Sequence, residues 1–316
     1  MKVLFIDSVY QILEERLLSL GFVCEHDYDS TRTELIAKIH QYQGLVLRSR
    51  TPIDNEFLEA SKNLKFIARS GAGLENIDCE RAEELGIHLF SAPEGNRQAV
   101  GEHALGMLLS LFNKLREADA EIRMGKWRRE ANRGIELSGK TIGIIGYGNM
   151  GQAFAKCVSG FGCKVLAYDC KKTDYSDKYA KRASLKELQE SADIISFHTP
   201  YNKSTHHYLN EHFINQMKKP FYLINTARGK VVKTNDLVEA LKNNKILGAC
   251  LDVLEFEKAS FENMFDSQIP ASFQYLLNSP KVLLSPHVAG WTVESHLKLS
   301  TVLAAKIEAI YGNKRQ

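Results

Sequence analysis

Residues 141–169, TIGIIGYGNMGQAFAKCVSGFGCKVLAYD, constrain the fold of this chain more than any other segment. A β-branched run, a glycine turn, a helical stretch and a second apolar run follow one another without interruption, which makes one complete βαβ unit. Gly146, Gly148 and Gly151 fit G-x-G-x-x-G, with Asn149 and Met150 inside the pattern. The first glycine permits the tight turn, the second lets backbone approach a pyrophosphate, and the third lets helix and strand pack closely. Asp169 ends the second run, where a carboxylate hydrogen-bonds both ribose hydroxyls and repels a 2′-phosphate, so the expected cofactor is NAD rather than NADP. Glycine triplets also occur in turns that hold no ligand, and the flanking strands and the acidic residue set this one apart.

With 316 residues, 44% of them hydrophobic, the chain can bury two ordinary cores, and its length suggests about two domains. The balance of 41 basic against 38 acidic residues gives no nucleic-acid or membrane signature. Short basic clusters such as Lys171-Lys172 and Lys126-Trp127-Arg128-Arg129 are flanked by acidic residues and read as solvated faces. No apolar run reaches a membrane span, and MKVLFID reads directly as a strand, so the expected location is the cytoplasm. Six scattered cysteines, with no C-x-x-C and no histidine at ligand spacing, read as free thiols, and no metal is expected.

Strand-length apolar runs alternate with helical patterns almost end to end, the signature of parallel α/β layers. A first block carries candidate strands at 2–7, 22–24, 44–47, 64–68 and 87–90, with helices at Gln11–Leu20 and Arg32–Tyr42. One long helical stretch follows, from about Val100 to Met124. Its first half is apolar nearly all round, and its amphipathic second half suits a subunit interface. The second block has strands near 141–146, 164–169, 193–197, 221–225, 247–252 and 282–285, enough for one dinucleotide-binding sheet. The helical segment Thr292–Tyr311 is too short for a domain and is expected to return to the first block. We therefore expect a substrate-binding domain made of residues 1–98 and 290–316, and an NAD-binding domain spanning 99–289.

Ligands of open α/β sheets bind beyond the carboxyl ends of the strands. Arg228 follows the run 221–225, Glu257 follows 247–252 and His287 follows 282–285. Oxidation of a secondary alcohol by hydride transfer needs a base for the hydroxyl proton, which suits His287. A carboxylate on the imidazole fixes its tautomer, the part for Glu257. A guanidinium clamps a substrate carboxylate with two parallel hydrogen bonds while polarising the neighbouring carbonyl, the part for Arg228. Singly, each has an ordinary structural explanation, and their joint placement at one end of one sheet gives the reading its weight.

Over essentially its whole length the sequence resembles the D-isomer-specific 2-hydroxyacid dehydrogenases. The motifs are GYGNMG with Asp169, His198-Thr199-Pro200, Asn225-Thr226-Ala227-Arg228-Gly229, Asp252-Val253-Leu254-Glu255-Phe256-Glu257 and Pro286-His287-Val288-Ala289-Gly290. The resemblance implies catalytic roles for Arg228, Glu257 and His287. It implies cofactor contacts at His198, Thr199, Pro200, Thr226, Ala227, Asp252 and Gly290, with Asp252 on the nicotinamide carboxamide. It further implies two doubly wound parallel-sheet α/β domains, a Rossmann NAD domain and a smaller flavodoxin-like substrate domain, with a cleft that closes on substrate and a homodimer formed through the long helix. The chain departs from the family at Lys258, where a proline usually follows the catalytic glutamate, so the geometry of that loop is open.

Arg48 follows GLVL and Arg69 follows LKFIA, so both are expected to project from strand ends, and Ser70, Gly71, Ala72 and Gly73 offer backbone N–H groups for a carboxylate. Arginines beyond those needed for one carboxylate imply a second anionic group, with surface ion pairing as the alternative. Within the family, LRSRT, RSGAG and PEGNRQAVGE are most similar to D-3-phosphoglycerate dehydrogenases, which implies substrate contacts at Arg48, Arg69 and Asn96. GKWRR adds Arg129, which would reach a neighbouring subunit's site. The expected reaction is NAD-dependent oxidation of D-3-phosphoglycerate to 3-phosphohydroxypyruvate. Reduction of hydroxypyruvate, glyoxylate or another 2-keto acid is the alternative, and an NAD-sensing corepressor that retains the triad is a more distant one. The short remainder after His287 leads us to expect no appended amino-acid-sensing domain.

Overall fold

The computed structural model describes residues 1–172, 174–257 and 269–312, so Lys258 lies outside the described residues. The chain divides into two compact units, Met1–Arg97 with Trp291–Gln316, and Gln98–Gly290.

The first unit carries strands β1 (Lys2–Phe5), β2 (Val23–His26), β3 (Gly44–Leu47), β4 (Phe66–Arg69) and β5 (His88–Phe90) in the order β2-β1-β3-β4-β5. All its pairings are parallel, which gives the flavodoxin-like doubly wound order. β3 and β4 are buried along their whole length, as central strands covered on both faces must be. The last helix, Val293–Tyr311, begins on a capping box in which Thr292 and Ser295 exchange side-chain-to-backbone hydrogen bonds. It packs Leu299, Leu303 and Ile307 with Val3, Phe5, Leu13 and Leu17. Each such side chain contributes roughly 1.5–3 kcal/mol when fully buried, which is what ties this distant segment to the first unit.

The second unit holds β6 (Thr141–Ile145), β7 (Lys164–Tyr168), β8 (Lys181–Arg182), β9 (Ile194–Phe197), β10 (Phe221–Asn225), β11 (Ile246–Leu251) and β12 (Val282–Leu284). Their order is β12-β11-β10-β9-β6-β7-β8, again with parallel pairings throughout. β8 is the strand that the sequence does not announce, because a two-residue, exposed Lys-Arg edge has no apolar pattern. β6 lies between β7 and β9, so the loops after β6 and β9 flank the point where the winding reverses and where such sheets bind ligands.

The stretch expected as one helix is two, Pro93–Phe112 and Leu115–Arg123. Lys114 breaks it by adopting a left-handed backbone, φ 51°, at a residue type that carries no turn signal. The first helix delivers Ala104, Met107, Leu108 and Phe112 to the core around Ile142 and Ile144. The second buries none of its residues in this chain. No helix among the described residues is long and apolar enough to cross a membrane.

Candidate active site

The loop after β6 needs its three glycines for three different reasons. Gly146 has φ +92°, and a Cβ there would sit 2.7 Å from the His198 carbonyl oxygen. Gly151 lies so close to the Gly146 carbonyl that any side chain would collide with it, whereas the Cβ position of Gly148 faces open space. Packing does not require the middle glycine, whose missing side chain leaves open space over the start of the helix. The helix Asn149–Val158 starts at Gly148 with no capping side chain, so the first N–H groups of that helix, those of Asn149, Met150 and Gly151, have no side-chain acceptor there.

Asp169 follows β7 and braces the same loop. Its Oδ2 accepts the Tyr147 N–H at 2.8 Å, and its Oδ1 accepts the N–H groups of Lys171 and Lys172 at 2.9 and 3.1 Å. The Lys172 ammonium donates to the Tyr147 carbonyl at 3.0 Å. Beyond β9, His198 is buried with Nε2 2.8 Å from the Ser196 hydroxyl, and burial pushes its imidazole down to about 3, so it is neutral. The Pro200 carbonyl accepts the Thr205 hydroxyl at 2.8 Å. His198 Nδ1, Thr199 Oγ1 and Thr226 Oγ1 are buried without a protein partner. Such orphans are uncommon, and these three gather at the ends of β9 and β10. The open space at Gly148, the uncapped helix, the carboxylate and the orphaned polar atoms together fit a dinucleotide.

Three further loops carry the candidate triad residues. Fully buried Asn225 ends β10; its Oδ1 accepts the Ala227 N–H at 3.1 Å and its Nδ2 donates to the Arg228 carbonyl at 3.0 Å, which folds Thr226–Arg228 into a turn. The Arg228 guanidinium donates to the Ala227 carbonyl at 2.6 Å. Gly229 packs against the Leu254 carbonyl with no room for a side chain, so the turn bearing Arg228 lies directly on the loop bearing Glu257. Glu257 Oε1 accepts the Leu254 N–H, and its Oε2 accepts the His287 Nδ1–H at 2.8 Å.

His287 has a left-handed backbone, φ 55°, a conformation that a non-glycine residue keeps only when its surroundings impose it. Its N–H donates to the Asp252 carbonyl at 2.8 Å and to the Ser285 carbonyl at 3.1 Å. The Asp252 side chain, 1% exposed, builds the rest of this loop. Oδ1 accepts the Ser285 hydroxyl at 2.6 Å and the Val288 N–H at 2.9 Å, and Oδ2 accepts the Ala289 N–H at 2.9 Å. Ser285 in turn accepts from His103 Nε2 at 2.9 Å. Burial works against the Asp252 charge, but the bonds from His103, Ser285, Ala289 and Val288 outweigh it and hold the carboxyl below its usual range. Gly290 closes this segment at the end of the second unit. Sequence reasoning missed His103 and Ser285; the signals were a histidine inside the apolar helix run and a hydroxyl directly before Pro286-His287.

In the first unit, Arg48 follows β3 and its guanidinium lies 4.1 Å from the centre of the Trp291 ring. Arg69 ends β4 and behaves differently. Its Nε donates to the Arg48 carbonyl at 3.0 Å and its NH1 to the Gly73 carbonyl, so much of this side chain holds the loop together. The N–H groups of Ser70 and Gly71 donate to the carbonyls of Leu47 and Arg69, both at 2.8 Å. Ala72 and Gly73 continue this loop, half-buried. Ser70 Oγ and Asn96 Oδ1 are buried without a protein partner, and Arg129 is exposed in the segment after helix Leu115–Arg123.

Known proteins are similar to this chain in sequence and fold. The family model of the D-isomer specific 2-hydroxyacid dehydrogenase NAD binding domain matches residues 105–289. A hydroxypyruvate reductase of Thermotoga maritima is 36% identical over 276 residues, 87% of this chain and 87% of that protein. A D-3-phosphoglycerate dehydrogenase of Archaeoglobus fulgidus is 35% identical over 309 residues, 97% of this chain but 56% of that longer protein. Among solved structures, D-lactate dehydrogenase from Aquifex aeolicus complexed with NAD and lactic acid superposes with a TM-score of 0.82 at 28% identity, covering 98% of this chain and 95% of that one. This chain belongs to the D-isomer-specific 2-hydroxyacid dehydrogenase family, whose cofactor is NAD.

Proposed function

We propose that the chain interconverts D-3-phosphoglycerate and 3-phosphohydroxypyruvate. The observation that carries the chemistry is the His287–Glu257 contact, set at strand ends in the sheet that bears the glycine turn. NAD, when bound, supplies the hydride acceptor, or in its reduced form the donor. The groups to hold it are the backbone around Gly146–Gly151, Asp169 for the ribose, Thr199 and Thr226 along the strand ends, and Asp252 for the carboxamide, whose Oδ2 accepts the Ala289 N–H and, as a carboxylate oxygen, can accept a second bond. With Nδ1 committed to Glu257, His287 exchanges the substrate's hydroxyl proton through Nε2, and Glu257 balances the charge the imidazole gains. Arg228 grips the substrate carboxylate and polarises the adjacent carbonyl.

The phosphate reading rests on the segments LRSRT, RSGAG and PEGNRQAVGE, on Arg48 and Asn96, and on the likeness to phosphoglycerate dehydrogenases. One observation favours a second reading, an unphosphorylated substrate such as hydroxypyruvate or glyoxylate: Arg69 is engaged by two carbonyls of its own unit. The unburied helix Leu115–Arg123, with Leu115 and Ile122 exposed, supports a homodimer formed through it. The test is NADH oxidation with 3-phosphohydroxypyruvate, hydroxypyruvate and glyoxylate. The phosphate reading expects kcat/KM at least about tenfold higher for the phosphorylated acid. Equal values give the second reading, and no turnover of any keto acid points to a binding protein of the corepressor type.

A further inference from the structure

His207 is one of four non-glycine residues among those described with a left-handed backbone, φ 49°. Nothing in the chemistry above uses it, yet it touches both loops that carry the candidate triad. Its backbone N–H donates to the Lys230 carbonyl at 2.8 Å, two residues beyond Arg228. Its ring Nε2 lies 2.6 Å from Glu255 Oε1, two residues before Glu257. The other Glu255 oxygen accepts the Thr234 N–H at 2.8 Å and so serves the start of helix Thr234–Lys242, which has no capping side chain of its own. Hydrogen bonds from the Thr234 backbone and side chain and from His207 outweigh burial and hold the Glu255 carboxyl below its usual range. The His206 ring stacks on His207 with centroids 3.9 Å apart, and its Nδ1 is 3.2 Å from the Tyr201 hydroxyl.

We propose that His207 is a positioning residue, a clamp that fixes the turn bearing Arg228 against the loop bearing Glu257. The inference rests on the reading of those two residues as the carboxylate grip and the partner of His287. A glycine would adopt this backbone without strain, so the imidazole and its bond to Glu255 are what a histidine adds at this position. Gly229 already lets the two loops touch at the Leu254 carbonyl. Contact alone leaves them able to slide, and the His207–Glu255 bond removes that freedom.

His207→Gly deletes the clamp while relaxing the backbone, so the protein folds. The clamp predicts a fall in kcat of about 10- to 100-fold, the cost of a misplacement near 1 Å, with NADH affinity unchanged. It also predicts faster hydrogen exchange at the Thr234 amide and across 253–257. His207→Gln places an amide N–H close to where Nε2 stands, can donate to Glu255, and should recover much of the lost kcat. Wild-type kcat in His207→Gly, no recovery in His207→Gln, or unchanged exchange at Thr234 would each overturn the proposal. If wild-type enzyme turns over no short 2-keto acid, the dehydrogenase reading fails separately, and the exchange measurement still decides the clamp.

Discussion

The carboxyl edges of the two sheets both carry charged and glycine residues, but they use them differently. In the five-stranded sheet, Asp7 Oδ2 accepts three consecutive N–H groups, those of Arg48, Ser49 and Arg50, at 2.6, 3.1 and 3.3 Å. Arg50 donates to the carbonyls of Ile6, Asp27 and Ser30, and Arg69 to those of Arg48 and Gly73. Charge there is largely spent on building loops. At the edge of the seven-stranded sheet the middle glycine faces open space, the helix start has no capping side chain, and Thr199 and Thr226 are orphaned. A charged residue at a strand end is thus ambiguous until its partners are known, whereas space and unmet hydrogen bonds speak for a ligand.

The sharpest way to break this contrast is His287→Ala. If the His287–Glu257 pair moves the proton, turnover falls by about two to four orders of magnitude while NADH affinity holds, because general acid–base catalysis contributes about that much. Steady-state rates alongside a fluorescence titration of NADH check both halves. Turnover within a few-fold of the wild type would make His287 a structural residue like Arg69.

The two arginines of the first unit come next. Arg69→Ala leaves two carbonyls without their donor and should cost about 1–3 kcal/mol in urea unfolding. Arg48→Ala forfeits a stacking contact worth at most about 1 kcal/mol and should act mainly on the KM of the phosphorylated acid. The reverse pattern, with Arg69 setting KM and Arg48 setting stability, would restore Arg69 as an anion ligand.

This pair also marks where the sequence was legible and where it was not. Every apolar strand was readable to within about two residues, because buried parallel strands are continuous runs of Ile, Val, Leu and Phe that contrast with the amphipathic helices around them. The joint in the long helix was not readable, since only the backbone of Lys114 records it. The glycine turn and the candidate residues Arg228, Glu257 and His287 could be singled out because they follow strands. Their supports, His103, Ser285 and His207, come from distant segments that only the fold brings near. Arg69 shows the same limit from the other side: its place after β4 is visible in the sequence, but the carbonyls that hold its guanidinium are not.

A smaller effect concerns acid. His198 is buried neutral, and its folded value of about 3 lies below the ordinary 6.5, so the unfolded chain binds the extra proton. Its contribution to stability is complete above pH 6.5 and is lost as pH falls toward 3. Between pH 6.5 and 5.5 the loss is about 1 kcal/mol. Asp252 and Glu255, both held below the usual carboxyl range, favour the folded state only while ionised, so their contributions fade at lower pH, below about 4. Unfolding free energies at pH 6.5 and 5.5 should therefore differ less in His198→Asn than in the wild type, and equal differences would assign the acid sensitivity elsewhere.

The central claim is that the open space at Gly148 is a cofactor seat and not a packing accident. NADH affinity of Gly148→Ala, measured with its melting temperature, tests this most directly. An alanine there has an ordinary backbone and meets nothing within 4 Å, so the melting temperature should match the wild type. The added methyl group occupies the space meant for the pyrophosphate, so Kd for NADH should rise at least about tenfold, or ~1.4 kcal/mol. An unchanged Kd in a fully folded variant would contradict the account.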